Sequence, residues 1–525
     1  MLRDFNKGRS AARAENGMAA TAHPQATLLA LDILREGGNA VDAGIAALAL
    51  LCVIEPHATG IGGDCFAIYA PKGRNPVGLN GSGRAPGMAH LGWYQDRGMS
   101  EIPIENPHAV TIPGAIDAWF KLHSDYGKLE WDRLLEPAIK AAEEGYIVAD
   151  RVARDWARLA SRLAGDAVSS QSMLIDGRAP RAGEIHAQPL LGKTLRRIAK
   201  QGRDGFYHGP VAEDIVARLT ELGGLHEVSD FEKVAAEYVP LASTTYRGLR
   251  ICEIPPNGQG ITALLMLNAL SGYDLSDNTS EVDRIHLIAE ATKAAFRRRD
   301  ALIADPDFAT DAQDIMLAQS EADAVRAEID PQRAGPFGEI PDITHRDTTY
   351  LCVIDKDRNA LSLINSLFEG FGTGVSTRNS GVILQNRGSS FRLYEHPNKI
   401  EPGKRPMHTI IPGMAMQGDE GAMPFGVMGG HYQAVGHTTL LSNILERGMD
   451  PQQALSEPRS FALNGKLELE STICAETAAG LAARGHVVDV NGAPLGGGQA
   501  IWIDPENGTL IGGSDPRKDG IALGY

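Results

Sequence analysis

The sequence predicts a layered α/β protein, and a change of texture predicts it. Residues 110–300 are mostly helical by pattern, and from residue 348 short apolar strands alternate with helices. Strands sandwiched by helices bury their apolar faces most simply as stacked layers. No repeat, low-complexity tract or flexible linker divides the 525 residues, so one large domain is expected.

The elements follow in order. Residues 24–54 are expected to form two helices: Pro24 suits a first turn, Gly37-Gly38 ends the first helix, and Asn39 caps the second. The second, 40–53, is Ala/Leu-rich almost all round and is expected to be buried. Gly60-Ile61-Gly62-Gly63-Asp64 then leads into a strand at 65–69. It has no following Lys-Ser/Thr, so it is a packing turn rather than a phosphate loop. Residues 110–300 are expected to be mostly helical, and 310–346 form a loose, polar, cleavable segment. From 348, strands at 348–354 and 360–367 flank a hairpin turn, with more at 382–384, 422–427, 467–469 and 501–503. Helices are expected near 433–447 and 475–484.

The net charge of −16 argues against nucleic acid or an anionic membrane as the main partner. It leaves room for a small anionic substrate held by a local cationic pocket. The five cysteines are odd in number and form no CxxC, as expected of buried thiols in a reducing compartment. Residues 1–18 contain no apolar stretch of the signal-peptide kind, and the longest apolar run, 45–54, is too short to span a bilayer. A cytoplasmic location is expected.

The chemistry concentrates at His345-Arg346-Asp347-Thr348-Thr349, where a polar run meets the first residues of an apolar strand. A threonine hydroxyl is a poor nucleophile at neutral pH and needs an adjacent base. A free α-amino group, with a pKa near ~8, supplies one. Cleavage between Asp347 and Thr348 would create nucleophile and base on one residue. The chain would then be a proenzyme, with residues 1–347 as large chain and 348–525 as small chain.

Taken together, several stretches resemble the gamma-glutamyltransferase family over nearly the whole chain. They include Gly37-Gly38-Asn39-Ala40-Val41-Asp42-Ala43, Gly60-Ile61-Gly62-Gly63 and Asp347-Thr348-Thr349. Phe371-Gly372-Thr373-Gly374, Gly429-Gly430 and Gly513-Ser514-Asp515-Pro516-Arg517 continue the series. The resemblance implies a four-layer αββα N-terminal-nucleophile hydrolase fold, and large and small chains of one precursor that stay associated. It implies Thr348 as nucleophile, with Thr349 as a supporting hydroxyl and Ser366 as the second hydroxyl that steadies it. Gly429 and Gly430 would supply the oxyanion hole. It calls for no cofactor and no metal, and allows a dimer of heterodimers.

Substrate recognition departs from the family pattern. Typical members hold an α-carboxylate with an arginine and two serines, and an α-ammonium with Asn, Gln and Asp. Here Phe368 stands at the Asn, Arg387 at the Gln and Ser390 at the Asp, while His408 and Thr409 replace the serines. A site that has lost its anion and gained a cation disfavours an ammonium group. Arg387, His408 and Arg84 are therefore candidate anion-binding residues. The form Pro406-Met407-His408-Thr409, with His431-Tyr432-Gln433 after the glycines, is similar to oxamate amidohydrolases and to glutaryl-type cephalosporin acylases. The expected reaction is hydrolysis of a small anionic amide, oxamate to oxalate and ammonia. A γ-glutamyl hydrolase or transferase and an acylase are the alternatives. No HExxH and no Gly-x-Ser-x-Gly is present, so neither a zinc protease nor a serine-elbow hydrolase is expected.

Overall fold

The computed structural model describes residues 9–309, 312–337 and 348–525. Two antiparallel seven-stranded sheets stack face to face. In the first, Thr349–Ile354 and Ala360–Ser366 are central, flanked on one side by Met18–Thr21 and Ile521–Gly524. On the other side lie Asp64–Ala70, Val77–Gly81 and Glu237–Val239. In the second, Glu420–Met428 is central, between Gly497–Ile503 and Gly413–Gln417.

Period-two alternation assigns each strand two roles. Tyr350, Cys352, Ile364, Phe66 and Ile68 point between the sheets and meet Met414, Met428 and Ile501 of the other sheet. Leu351, Val353, Leu361 and Leu363 point outward, onto the helices Pro24–Arg35 and Ala40–Ile54. The second sheet's outer face carries Gly260–Leu270, Glu281–Leu302 and Tyr432–Leu445. The result is four layers, αββα, with three contiguous apolar fillings.

The helix Ala40–Ile54 is buried at every position. Asn39 caps it in a reciprocal box with Asp42, two orphan donors satisfied at once. Gly44 explains the close approach of this helix to the sheet: a Cβ there would lie 2.3 Å from Leu361.

Three expectations need correction. The stretch 110–300 is mostly helical but also contains five strands: the short pair Tyr146–Ile147 and Ile185–His186, then Glu237–Val239, Ala242–Tyr246 and Leu249–Glu253. Arg247 and Gly248, at φ +47° and +90°, form the primed type of turn that closes the last two as a hairpin. The segment 382–384 is not a strand; Ile383 makes only an isolated bridge to Ser376. Residues 312–328 hold two helices, Ala312–Met316 and Gln319–Glu328, in place of a loose tract. Asp347, expected to precede the cleavage point, lies outside the described residues.

Candidate active site

One end of the inter-sheet layer collects the chemistry. Thr348 opens the strand Thr349–Ile354, and Ser366 ends its neighbour Ala360–Ser366. Thr348 Oγ1 and Ser366 Oγ are 3.1 Å apart. The Phe368 backbone N–H donates to the same serine oxygen at 2.9 Å. Phe368 holds φ +79°, a strained value for a side-chain-bearing residue, and this turn is what aims its N–H back at Ser366.

The glycines at 62 and 63 let a loop pack against this corner. A Cβ on Gly63 would lie 2.2 Å from the Ser366 carbonyl oxygen, and one on Gly62 2.1 Å from that of Ile383. Across the sandwich, Gly429 and Gly430 follow the strand Glu420–Met428 and precede the helix Tyr432–Leu445. Their φ values, +125° and +58°, turn the backbone sharply between strand and helix. Gln259 bridges this turn to the pocket, donating to the carbonyl oxygens of Gly430 and Thr409 at 3.0 and 2.8 Å. Its own Oε1 accepts from the buried Arg299.

Arg387 is fully buried and lies over the Phe368 ring, 3.7 Å from guanidinium carbon to centroid. Its Nη1 donates to Thr409 Oγ1 at 2.9 Å, and among the described residues Nε and Nη2 have no acceptor. Burial pushes its pKa down to about 9, opposed by the charges of Asp64 and Glu369. The site thus centres on a buried cation, on which the charges of Asp64 and Glu369 act.

The other candidate residues are committed elsewhere. His408 Nε2 faces Asp64 Oδ2 at 3.0 Å, and its Nδ1 accepts from the Ile410 N–H, which places the proton on Nε2. Burial, then the charge of Arg387, lowers its pKa to about 4. His408 is neutral at pH 7 and is no anion-binding cation. Arg84 reaches Glu237, Asp305 and Asp307 and donates to the Gly403 carbonyl, so it braces a loop. Ser390 Oγ donates to the carbonyls of Arg387 and Met407. Thr349 points to the outer face, where its hydroxyl donates to Glu55 Oε2 at 2.8 Å and not toward the nucleophile.

Sequence reasoning passed over Asp64, Glu55 and Gln259. Asp64 pairs with Ser366 in the strand register and accepts from the Gly83 and Gly114 N–H groups and from Gln385. An acid closing a glycine turn, and another ending an apolar helix, were the available signals. His286, Glu290 and His486 also converge with the spacing of metal ligands. Lys293 already holds Glu290, however, and the imidazoles share a hydrogen bond of 2.8 Å. With the Gly335 N–H on Glu290 and Asp330 O on His286, this group pins the segment that precedes residue 338.

Residues 26–525 match the gamma-glutamyltranspeptidase family. The chain belongs to that family. It is 37% identical to the glutathione hydrolase-like YwrD proenzyme of Bacillus subtilis, with 97% of this chain and 98% of the relative covered. It is 33% identical to the oxamate amidohydrolase proenzyme of Klebsiella pneumoniae, with 97% and 98% covered. The crystal structure of cephalosporin acylase from Bacillus halodurans superposes with a TM-score of 0.94 at 38% identity, over 100% of this chain and 99% of that one. As a gamma-glutamyltranspeptidase-family proenzyme, the chain is an amide-bond hydrolase with an N-terminal threonine nucleophile.

Proposed function

We propose that the chain cuts itself between Asp347 and Thr348, and that the mature enzyme hydrolyses the amide of a small carboxylate, oxamate to oxalate and ammonia. The observation that carries this reading is Arg387. A guanidinium buried to the last atom, with Nε and Nη2 lacking acceptors among the described residues, suits a carboxylate. It adjoins Phe368, whose N–H holds Ser366 against Thr348.

In this reading the α-amine of Thr348 takes the Oγ1 proton as Oγ1 attacks the amide carbon. The Gly429 and Gly430 N–H groups receive the negative charge that develops on oxygen. Collapse expels ammonia, which carries the proton away, and leaves an acyl ester on Thr348. Water, deprotonated by the same amine, cleaves the ester and returns the hydroxyl. The sum is amide plus water giving acid plus ammonia. The site lies within the fold of both precursor chains, and no helix among the described residues is long and apolar enough to cross a membrane. A cytoplasmic enzyme acting on a soluble anion is consistent with both.

A second reading has its own support. Asp64 and Glu369 act on Arg387 from close by, and such carboxylates suit the ammonium of a γ-glutamyl donor. The similarity to the YwrD protein points the same way. Ammonia release from oxamate, measured beside turnover of a γ-glutamyl anilide, separates the two. Robust anilide turnover with no ammonia from oxamate overturns the first reading.

A further inference from the structure

The outer side of the nucleophile strand carries a second buried cluster that the mechanism above does not use. Glu55 ends the long apolar helix Ala40–Ile54 and is fully enclosed. Its Oε2 accepts the Thr349 hydroxyl at 2.8 Å, so the carboxyl is bonded to the residue after the nucleophile. Lys518 and Asp519, from the turn after Ser514, act on it, and so does Asp155 of the helix Asp150–Ala164. Asp155 in turn faces Lys518 and His57, each at 3.9 Å, with Arg154 and Arg158 on its exposed side. His23 stands beyond His57.

The charges here do not cancel well while the chain is whole. Among the described residues the leading cation acting on Glu55 is Lys518, and the acids Asp519 and Asp155 act against it. Burial accordingly wins and pushes the carboxyl up to about 7. Scission changes the sum. It converts the neutral amide nitrogen of Thr348 into an ammonium, one peptide unit (about 3.8 Å between Cα atoms) from the residue that Glu55 holds.

We propose that Glu55 is the counter-charge for the α-ammonium that scission creates at Thr348, and thereby sets the pH at which that amine becomes a base. The coupling is mutual: the ammonium favours the carboxylate, and the carboxylate holds the proton on the amine. Glu55 never touches substrate and is a positioning residue. The inference rests on Thr348 being the mature N-terminus.

The test starts with terminal sequencing of the wild-type small chain; a start other than Thr348 overturns the proposed function itself. Given that start, Glu55→Gln keeps the acceptor for Thr349 and removes only the charge. It is expected to process and to move the acid limb of the kcat/KM profile about one pH unit lower. Glu55→Asp, which restores a carboxylate, is expected to return the limb toward the wild-type position. An NMR titration of the α-amine in each protein reads the same shift without substrate. A processed Glu55→Gln protein with the wild-type limb, identical Gln and Asp profiles, or a Glu55→Gln chain that stays uncut would each overturn the proposal.

Discussion

Arg387 lies over the ring of Phe368, and the backbone N–H of Phe368 donates to the hydroxyl that contacts Thr348. The proposed receptor and nucleophile therefore share one residue, and a substrate carboxylate held by Arg387 would be placed at a fixed distance from the attacking oxygen. Proximity of this kind contributes only if the supporting side chains do not move. Burial of Arg387 and Ser366 meets that condition.

Replacing Arg387 with methionine removes the receptor and leaves its volume filled. The expected result is a fall of about 100-fold in kcat/KM for oxamate, carried mainly by KM. Stability should hold or rise, because a buried charge lacking a direct ion pair is exchanged for an apolar side chain. Arg387→Lys keeps the charge but not the planar fork, and should recover only part of the activity. Steady-state kinetics and thermal melts of the three proteins check this; an unchanged KM in Arg387→Met would place the substrate elsewhere.

Thr348→Ala should remain a single chain of 56.1 kDa on a denaturing gel, with no ammonia release. Ser366→Ala removes the hydroxyl between Thr348 and the Phe368 N–H and leaves that buried donor without its acceptor. Processing and kcat should both slow by about 10- to 100-fold. Gel time courses after dilution from denaturant measure the first and single-turnover assays the second.

Much of the architecture was legible because periodicity is local. The caps at Pro24 and Asn39, the hairpin pair at 349–366 and the helix 40–54, apolar almost all round, each carry their own signal. The nucleophile corner was legible through the threonine pair and the glycine pairs. The pocket was not. His408 reads as a cation in sequence, yet burial and then the charge of Arg387 keep it neutral, and Asp64, 344 positions away, only fixes its proton on Nε2. Arg84 reads as a ligand, but three carboxylates from two distant segments take it. Thr349 reads as a partner of Thr348, but strand alternation sends it to the opposite face. Side-chain roles that depend on long-range pairing leave no trace in spacing.

Acid should destabilise the protein within a defined window. His23, His186, His226 and His408 are all lowered to about 4, each chiefly by burial. A histidine depressed in the folded state contributes stability that is fully present above its unfolded value, near 6.5, and lost as pH falls toward 4. Glu55 runs the other way: its raised pKa contributes stability below about 4.5 that is lost as pH rises through about 7. Glu253 and Asp519 are also raised, chiefly by burial, but His108, His396 and His486 are lowered as well, so the depressed histidines outnumber the raised carboxyls and the melting temperature is expected to drop steadily from pH 6.5 to 4. A melting temperature flat across that range would mean the histidines are charged in the fold.

Gln259 ties the two halves of the site together, since one amide nitrogen serves both the Gly430 and the Thr409 carbonyls. Gly430 carries a proposed oxyanion donor, and Thr409 receives Arg387. Gln259→Leu keeps the bulk and releases both carbonyls, while Arg299 loses an acceptor. The oxyanion donors act through position alone, so a small displacement should lower kcat by about 10- to 100-fold, less than outright loss of a donor. KM should rise too, because Thr409 no longer steadies the guanidinium. Gln259→Glu retains an acceptor for Arg299 but presents oxygen to both carbonyls, and should fare no better than leucine. Kinetics of both variants on processed protein decide the matter: a kcat within twofold of wild type in Gln259→Leu would show that the glycine turn holds its shape unaided.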